Sequence, residues 1–488
     1  MVFAYDNRKD VIYEKFSISR IYNTHSTAQG QLAEPTTTER ILSMKTVGII
    51  AEYNPFHKGH AYHIQKAKEA VGADFVIVTM SGNFVQRGAP AIIDKYTRTK
   101  MALDGGADLV LELPVPFATA AAPIFAEAGI SLFHHLGCVD ALCFGSESGD
   151  VNSLIAAAHI LMEEPHEYKM LLQRFLKEGN NYPKSAQMAV QSLWNKIGNE
   201  LNTELSASPN DTLAIEYIKA LFKYNSVITP IAITRHGSGY HETSLSSDFA
   251  SASAIRNQIE QHLKMPTETK LNSSSQLNSS IHSTHSNHSS AISAIESFLP
   301  ETSFSLMKDF FGHTFPVTED DFSLPLAMIL NAEQMTNGMS ILQAADMTPE
   351  LSDRIHRLLS SDKLFTFSEL AEALKTKNIT RARINRALLH CLLAINKEDI
   401  EEFRADTFCS YARILGFKKE ASPLLKAIKS NADIPVITKL ADAKSKLSET
   451  GNKLLSHELA ASFLYRQAVW CKFHEKIPDE YRAGIIIL

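Results

Sequence analysis

The sequence predicts an α/β protein: a parallel sheet covered by helices on both faces, followed by an all-α domain. Three observations predict it. Across residues 44–266, short apolar runs alternate with segments of helical periodicity, as strands buried on both faces do. Past residue 294, apolar residues recur at helical spacing and strand signals are few. Between these parts, residues 267–293 are dominated by Ser, Asn and His, which bury too little apolar surface to order a chain.

Taken in order, residues 1–43 are polar and mixed, without the basic start, apolar centre and small-residue cleavage site of a signal peptide. Met44 precedes the first core run and is expected to be the natural start. Residues 1–43 are then an extension, disordered or not native, with a genuine short N-terminal arm as the alternative. Residues 47–51 read as a buried strand, broken at Asn54-Pro55 because the residue before proline is held extended and proline cannot continue a ladder. Ala61, Ile64, Ala67 and Val71 then recur at helical spacing. Further strands are predicted at 75–80, 108–113, 140–145 and 227–234. Helices are predicted at 97–103, closed by Gly105 and Gly106, at 120–136, at 152–162 and across 164–226. In the all-α part, Ile384, Leu388, Cys391 and Leu392 mark one helix; Leu424, Leu425 and Ile428 mark a second; residues 459–469 are a third. The predicted organisation is an extension (1–43), a catalytic domain (44–266), a flexible insertion (267–293) and a helical domain (294–488).

Composition narrows the function. Hydrophobic content of 44% and charged content of 21% are those of an ordinary soluble globular protein. A net charge of -6 excludes a polycation, so any nucleic-acid surface must be local. One candidate is Lys375, Lys377, Arg381, Arg383 and Arg386; a second is Arg413, Lys418, Lys419, Lys426 and Lys429. Both read as phosphate-backbone surfaces, with solvated helix faces as the alternative. The five cysteines are scattered and include no Cys-x-x-Cys pair, so neither a zinc site nor a disulfide framework is indicated, in keeping with a reducing cytoplasm. His282, His285 and His288 could bind metal adventitiously, but a disordered tract is the favoured reading. No apolar run reaches the length of a membrane span.

The chemistry concentrates where the first strand meets the first helix. His57 and His60, with Gly59 between them, fall at a helix N-terminus, where unpaired N–H groups and partial positive charge attract phosphate. Gly59 leaves room for close backbone approach. Ser81-Gly82-Asn83 and Gly145 fall at other strand carboxyl ends, where open α/β sheets bind ligands. Ser251, Ser253 and Arg256 open a further helix and form a second phosphate cradle, although Ser-x-Ser before a helix is also an ordinary N-cap.

His-x-Gly-His between a strand and a helix resembles the signature of HIGH-type nucleotidyltransferases, Rossmann-like enzymes that make or break the bond at the α-phosphate of ATP. Further blocks resemble the tRNA(Met) cytidine acetate ligase family. They are residues 48–63, Met80-Ser81-Gly82-Asn83-Phe84-Val85-Gln86-Arg87-Gly88, residues 108–114, Phe144-Gly145-Ser146-Glu147, Ser208-Pro209-Asn210, and residues 235–241 from Arg235. The resemblance implies a cytoplasmic ligase that makes acetyl-adenylate from acetate and ATP, then forms N4-acetylcytidine at the wobble position of elongator tRNA(Met). It implies no membrane or protein partner. By the same resemblance, ATP is held by Ile50, Ala51, Glu52, Tyr53, Asn54, Pro55, Phe56, His57, Lys58, Gly59, His60, Ala61, Tyr62, His63, Gly145, Asn210 and Arg235. The usual second Asn after Pro-Asn is Asp211 here, which sets its role apart. His57, His60 and Arg235 are the candidate catalytic groups, with Ser251, Ser253 and Arg256 on the leaving pyrophosphate and the cluster from Lys375 to Arg386 on tRNA. Mg2+ is expected to accompany ATP, with no dedicated protein carboxylate cage. Two rivals remain at this stage: a small-cofactor adenylyltransferase, and a non-catalytic RNA-binding protein with a relic nucleotide site.

Overall fold

The computed structural model describes residues 44–180, 182–196, 208–235, 250–264, 292–335, 341–360, 363–377 and 379–488. Residues 1–43, 236–241 and 267–291, which carry the extension, the end of the Arg235 block and most of the Ser/Asn/His tract, lie outside the described residues.

Five parallel strands form the centre: β1 (Thr46–Ala51), β2 (Phe75–Ser81), β5 (Leu109–Leu113), β6 (Ala141–Ser146) and β7 (Thr229–Thr234). Their order is β5-β2-β1-β6-β7, so the chain moves outward one way from β1 and then returns to its other side. That reversal opens a crevice beyond the carboxyl ends of β1 and β6. The amino ends are pinned by aspartates, each standing one residue before a strand. Asp74, Asp108 and Asp140 accept the N–H groups of Lys45, Val76 and Thr46, at 2.8, 2.8 and 2.7 Å.

Alternation along the strands sends side chains to two cores. Ile77, Leu109, Leu111 and Leu142 face one side, against α3 (Ala122–Leu136). Val47, Ile49, Val76, Val78 and Val110 face the other, against α1 (Lys58–Val71) and α2 (Lys95–Asp104). The contact of α3 with β1 depends on two glycines. A Cβ at Gly48 would lie 2.7 Å from Phe133, and one at Gly129 would lie 2.5 Å from Ile50. On the same side of β1, α4 (Val151–Glu163) and α5 (Pro209–Lys223) complete the layer, while α6 (Ala252–Lys264) follows β7.

The second half is helical over most of its length, with its own core around Leu351, Leu370, Ile384 and Leu388. Its main elements are α7 (Arg381–Leu393), α8 (Ser422–Asn431) and the 25-residue α9 (Glu449–Phe473). It also extends the sheet, which sequence periodicity did not announce. β8 (Ala412–Phe417) pairs antiparallel with β5, and β9 (Val436–Ile437) and β10 (Ile486–Ile487) pair with β8. This corrects the second basic cluster. Arg413 is only 5% exposed, because it sits on β8 and ion-pairs with Glu112 at 2.7 Å and Glu480 at 2.5 Å. It is therefore not part of a nucleic-acid surface.

Residues 44–488 form one unit. Among the described residues, no helix is long and apolar enough to cross a membrane.

Candidate active site

β1 ends in a turn that presents both histidines. Tyr53 takes a left-handed backbone (φ 49°), the Asn54-Pro55 bond is cis, and His57 is the N-cap of α1. The cap is reciprocal: His57 Nδ1 accepts from Gly59 N at 3.1 Å, and His60 Nδ1 accepts from His57 N at 3.3 Å. The two rings stack with centroids 3.7 Å apart. This changes the expected phosphate grip. The amides of His57 and Gly59 are spent on the rings, so a phosphate grip at this turn would have to use the imidazoles as donors. A neutral imidazole that accepts at Nδ1 carries its proton on Nε2. The rings are neutral because burial lowers the His57 pKa to about 3, with Arg235 and Arg256 adding to the effect. His60 is also held well below the ordinary range, by burial first and then by His57. His63 is lowered to about 4 by burial and Arg235.

The rings line a cleft of about 290 Å³ at the carboxyl ends of β1 and β6. Of the residues expected from the sequence, the cleft gathers Ile50, Ala51, Glu52, Tyr53, Asn54, Gly59, Tyr62 and His63 around the histidines. Gly145, Asn210, Arg235, Ser251, Ser253 and Arg256 meet them from other elements. Pro55, Phe56, Lys58 and Ala61 do not line it. Phe56 is fully buried against Tyr53 and His60, and Lys58 Nζ donates to the Ser297 carbonyl at 2.6 Å. Asn54 acts as a brace: its Oδ1 accepts from Ile92 N at 2.8 Å, and its carbonyl accepts from Arg256 Nη1 at 2.5 Å. Arg256 also donates to Ser253 Oγ at 3.1 Å, and Ser251 Oγ caps α6 by accepting from Ala254 N at 3.1 Å.

Sequence reasoning assigned no role to three neighbours of this cleft. Gln86 and Arg87 line it from a small hairpin, β3 (Phe84–Val85) and β4 (Ala89–Pro90), and Gln86 N donates to Glu52 Oε1 at 2.9 Å. They belong to the block quoted above, so the signal was present and only the role was missing. Asp211, the departure from the family pattern, is fully buried and accepts from the loop after β6. Among the described residues, Arg87, Arg235 and Arg256 face a single lining carboxylate, Glu52. In a chain of net charge -6 this is a locally cationic cleft, suited to an anion with several oxygens.

The first basic cluster divides. Arg381 pairs with Glu319 at 2.5 Å, Arg386 with Asp346 at 2.8 Å, and Lys375 with Glu372 at 3.3 Å. The acids come from other elements or from the preceding turn, which is why the cluster read as acid-free. Lys377 and Arg383 remain exposed.

A parallel sheet whose first strand delivers two histidines into a helix cap defines the class, and the family model described as HIGH Nucleotidyl Transferase matches residues 44–478. A tRNA(Met) cytidine acetate ligase of Thermoanaerobacter sp. (strain X514) is 38% identical over 426 residues, covering 87% of this chain and 96% of that protein. One from Acetivibrio thermocellus is 35% identical over 450 residues, covering 91% and 100%. A crystal structure of Thermotoga maritima TmcAL bound with alpha-thio ATP is 28% identical, with a TM-score of 0.75, and covers 91% of this chain and 100% of that one. The chain belongs to the tRNA(Met) cytidine acetate ligase family.

Proposed function

We propose that this protein uses ATP to activate acetate and transfers the acetyl group to the wobble cytidine of elongator tRNA(Met), giving N4-acetylcytidine. The relatives' shared name and the nucleotide-bound Thermotoga neighbour support the substrates. Within this chain, the observation that carries the reading is the cap-locked pair of neutral imidazoles beside a cationic cleft.

An acetate oxygen attacks the α-phosphorus of ATP. The bond to the bridging oxygen breaks, and pyrophosphate leaves with that electron pair. The N4 amine of cytidine then attacks the acetyl carbonyl carbon and loses a proton, and AMP leaves as the carbonyl re-forms. Acetate is a poor nucleophile, so the first step depends on stabilising charge that builds on phosphate oxygens. His57 and His60 donate to those oxygens through Nε2–H. Being neutral, they contribute directed donors without the cost of burying two like charges. Arg256, oriented by Asn54 and Ser253, holds the departing pyrophosphate beside Ser251. Arg235 reaches the phosphate or the acetyl-adenylate from the end of β7. No covalent enzyme intermediate is needed. Magnesium that accompanies ATP would be held by the nucleotide's own phosphates. Lys377 and Arg383 contribute to the tRNA surface.

The test is to incubate the protein with ATP, labelled acetate and bulk tRNA, digest the RNA, and analyse the nucleosides by mass spectrometry. Labelled acetylcytidine that requires ATP is expected. Failure to label cytidine, or labelling that proceeds without ATP, contradicts the proposal.

A further inference from the structure

The loop after β6 and the start of α5 grip each other from both sides. Asp211 is fully buried; its Oδ1 accepts from Ser146 Oγ at 2.5 Å and Glu147 N at 3.1 Å, and its Oδ2 accepts from Ser148 N at 3.2 Å. In the opposite direction, Glu147 Oε2 accepts from Ser208 Oγ at 2.6 Å and Oε1 accepts from Asn210 Nδ2 at 2.5 Å. The two acids thus serve different ends of one clasp. Asp211 shapes the loop, and Glu147 holds the first turn of α5.

The consequence falls on Asn210, which lines the cleft. An Asn side chain offers donors on one side and an acceptor on the other, and either can face a ligand. A carboxylate only accepts, so Glu147 takes the amide nitrogen and leaves Oδ1 as the group available to the cleft. Among the described residues, no protein donor reaches that oxygen.

We infer that Glu147 is a specificity-determining positioning residue: by holding the Asn210 amide nitrogen it presents Asn210 Oδ1 as a fixed acceptor, and this selects nucleotides that bring a donor. In ATP that donor is either the N6 amine of adenine or a ribose hydroxyl. The inference rests on reading the cleft as the ATP site. A site built around a fixed acceptor rejects a ligand lacking the donor, because the acceptor is then left unpaired.

The experiment measures equilibrium binding, without acetate or tRNA, of ATP, purine riboside triphosphate, 2′-deoxy-ATP and 3′-deoxy-ATP. Inorganic tripolyphosphate serves as a probe of the phosphate grip alone. The wild type is expected to favour ATP over one of the three analogues by about tenfold, and the analogue that loses affinity identifies the donor. Glu147→Ala removes the acceptor that holds the Asn210 amide nitrogen and lets the amide turn, so that preference should shrink to within about twofold while tripolyphosphate binding stays unchanged. Asp211→Asn keeps an acceptor for the loop and should retain the preference, and thermal melting confirms that each variant is folded. A folded Glu147→Ala protein that keeps the full wild-type preference overturns the inference, as does a wild type that binds ATP but does not discriminate. In either case tripolyphosphate competing with ATP leaves the ATP reading standing. A wild type that binds neither ATP nor tripolyphosphate overturns both.

Discussion

His57 and His60 each lend Nδ1 to the helix cap, so the donor that the proposed phosphate role needs falls on a different atom, Nε2. Two predictions follow at this scale. His60→Ala removes one Nε2 donor and the return bond to His57 N. It should lower acetate-dependent pyrophosphate release by at least about a hundredfold, as loss of a transition-state donor does, while the protein remains folded. Release at the wild-type rate would remove His60 from the chemistry. The second prediction concerns acid. The folded protein holds the His57 pKa at about 3 against an ordinary 6.5, so it refuses a proton that the unfolded chain accepts. This contribution to stability is complete above about pH 6.5 and is lost as pH falls toward 3. His57→Asn can still cap the helix but cannot titrate, so its urea midpoint should fall less steeply between pH 7 and pH 4.5. Equal slopes would contradict the buried neutral state. The position of these residues was legible, because strand, proline break and helical spacing are local patterns. Their tautomer and neutrality were not, because the tautomer follows from the folded cap and the neutrality from burial first, with Arg235, remote in sequence, adding to it.

At the scale of elements, the β3–β4 hairpin links the cleft to the helical half. Gly88 has φ +73°, and a Cβ there would lie 2.3 Å from the backbone nitrogen of Arg386 on α7. Only a glycine lets the hairpin seat on that helix while Gln86 and Arg87 line the cleft. Gly88→Ala combines a disfavoured backbone with a collision against backbone. It should cost on the order of 1–3 kcal/mol from the strain alone and weaken ATP binding by displacing Gln86 from Glu52. Urea unfolding and ATP titration check both, and a variant with unchanged midpoint and affinity would show the contact to be dispensable. The parallel strands were legible because buried runs bounded by turn signals are distinctive. The hairpin was not, since two-residue strands carry no periodicity. β8 escaped for another reason: its Arg413 looks like a surface charge until Glu112 and Glu480 are brought beside it by residues far along the chain.

At the scale of the molecule, a buried ionic network joins the two halves. Lys95 Nζ lies 2.5 Å from Glu112, 3.1 Å from Glu458 and 2.9 Å from Glu480, and Arg413 pairs with the first and last of these. Two cations thus face three carboxyls. Burial, and then the neighbouring Glu112, hold the Glu458 carboxyl well above the usual carboxylate range, so it keeps its proton. Lys95→Met leaves the buried Glu112 and Glu480 carboxylates to a single cation, Arg413, and should cost about 3–5 kcal/mol at pH 7. Glu458→Gln replaces one neutral donor with another and should cost far less. Comparable losses in urea unfolding would contradict this charge assignment. The exposed cations on and near α7 are tested by Lys377→Ala with Arg383→Ala. This pair should weaken tRNA binding and flatten its salt dependence while ATP affinity stays unchanged. Unaltered tRNA affinity at matched salt would remove that face from the assignment.

The most direct measurement is a crystal structure of the protein with a non-hydrolysable ATP analogue. The account predicts the phosphate chain within hydrogen-bond distance of His57 and His60 Nε2, with Arg256 on its terminal groups. Phosphates bound away from those rings, with the imidazoles untouched, would contradict it.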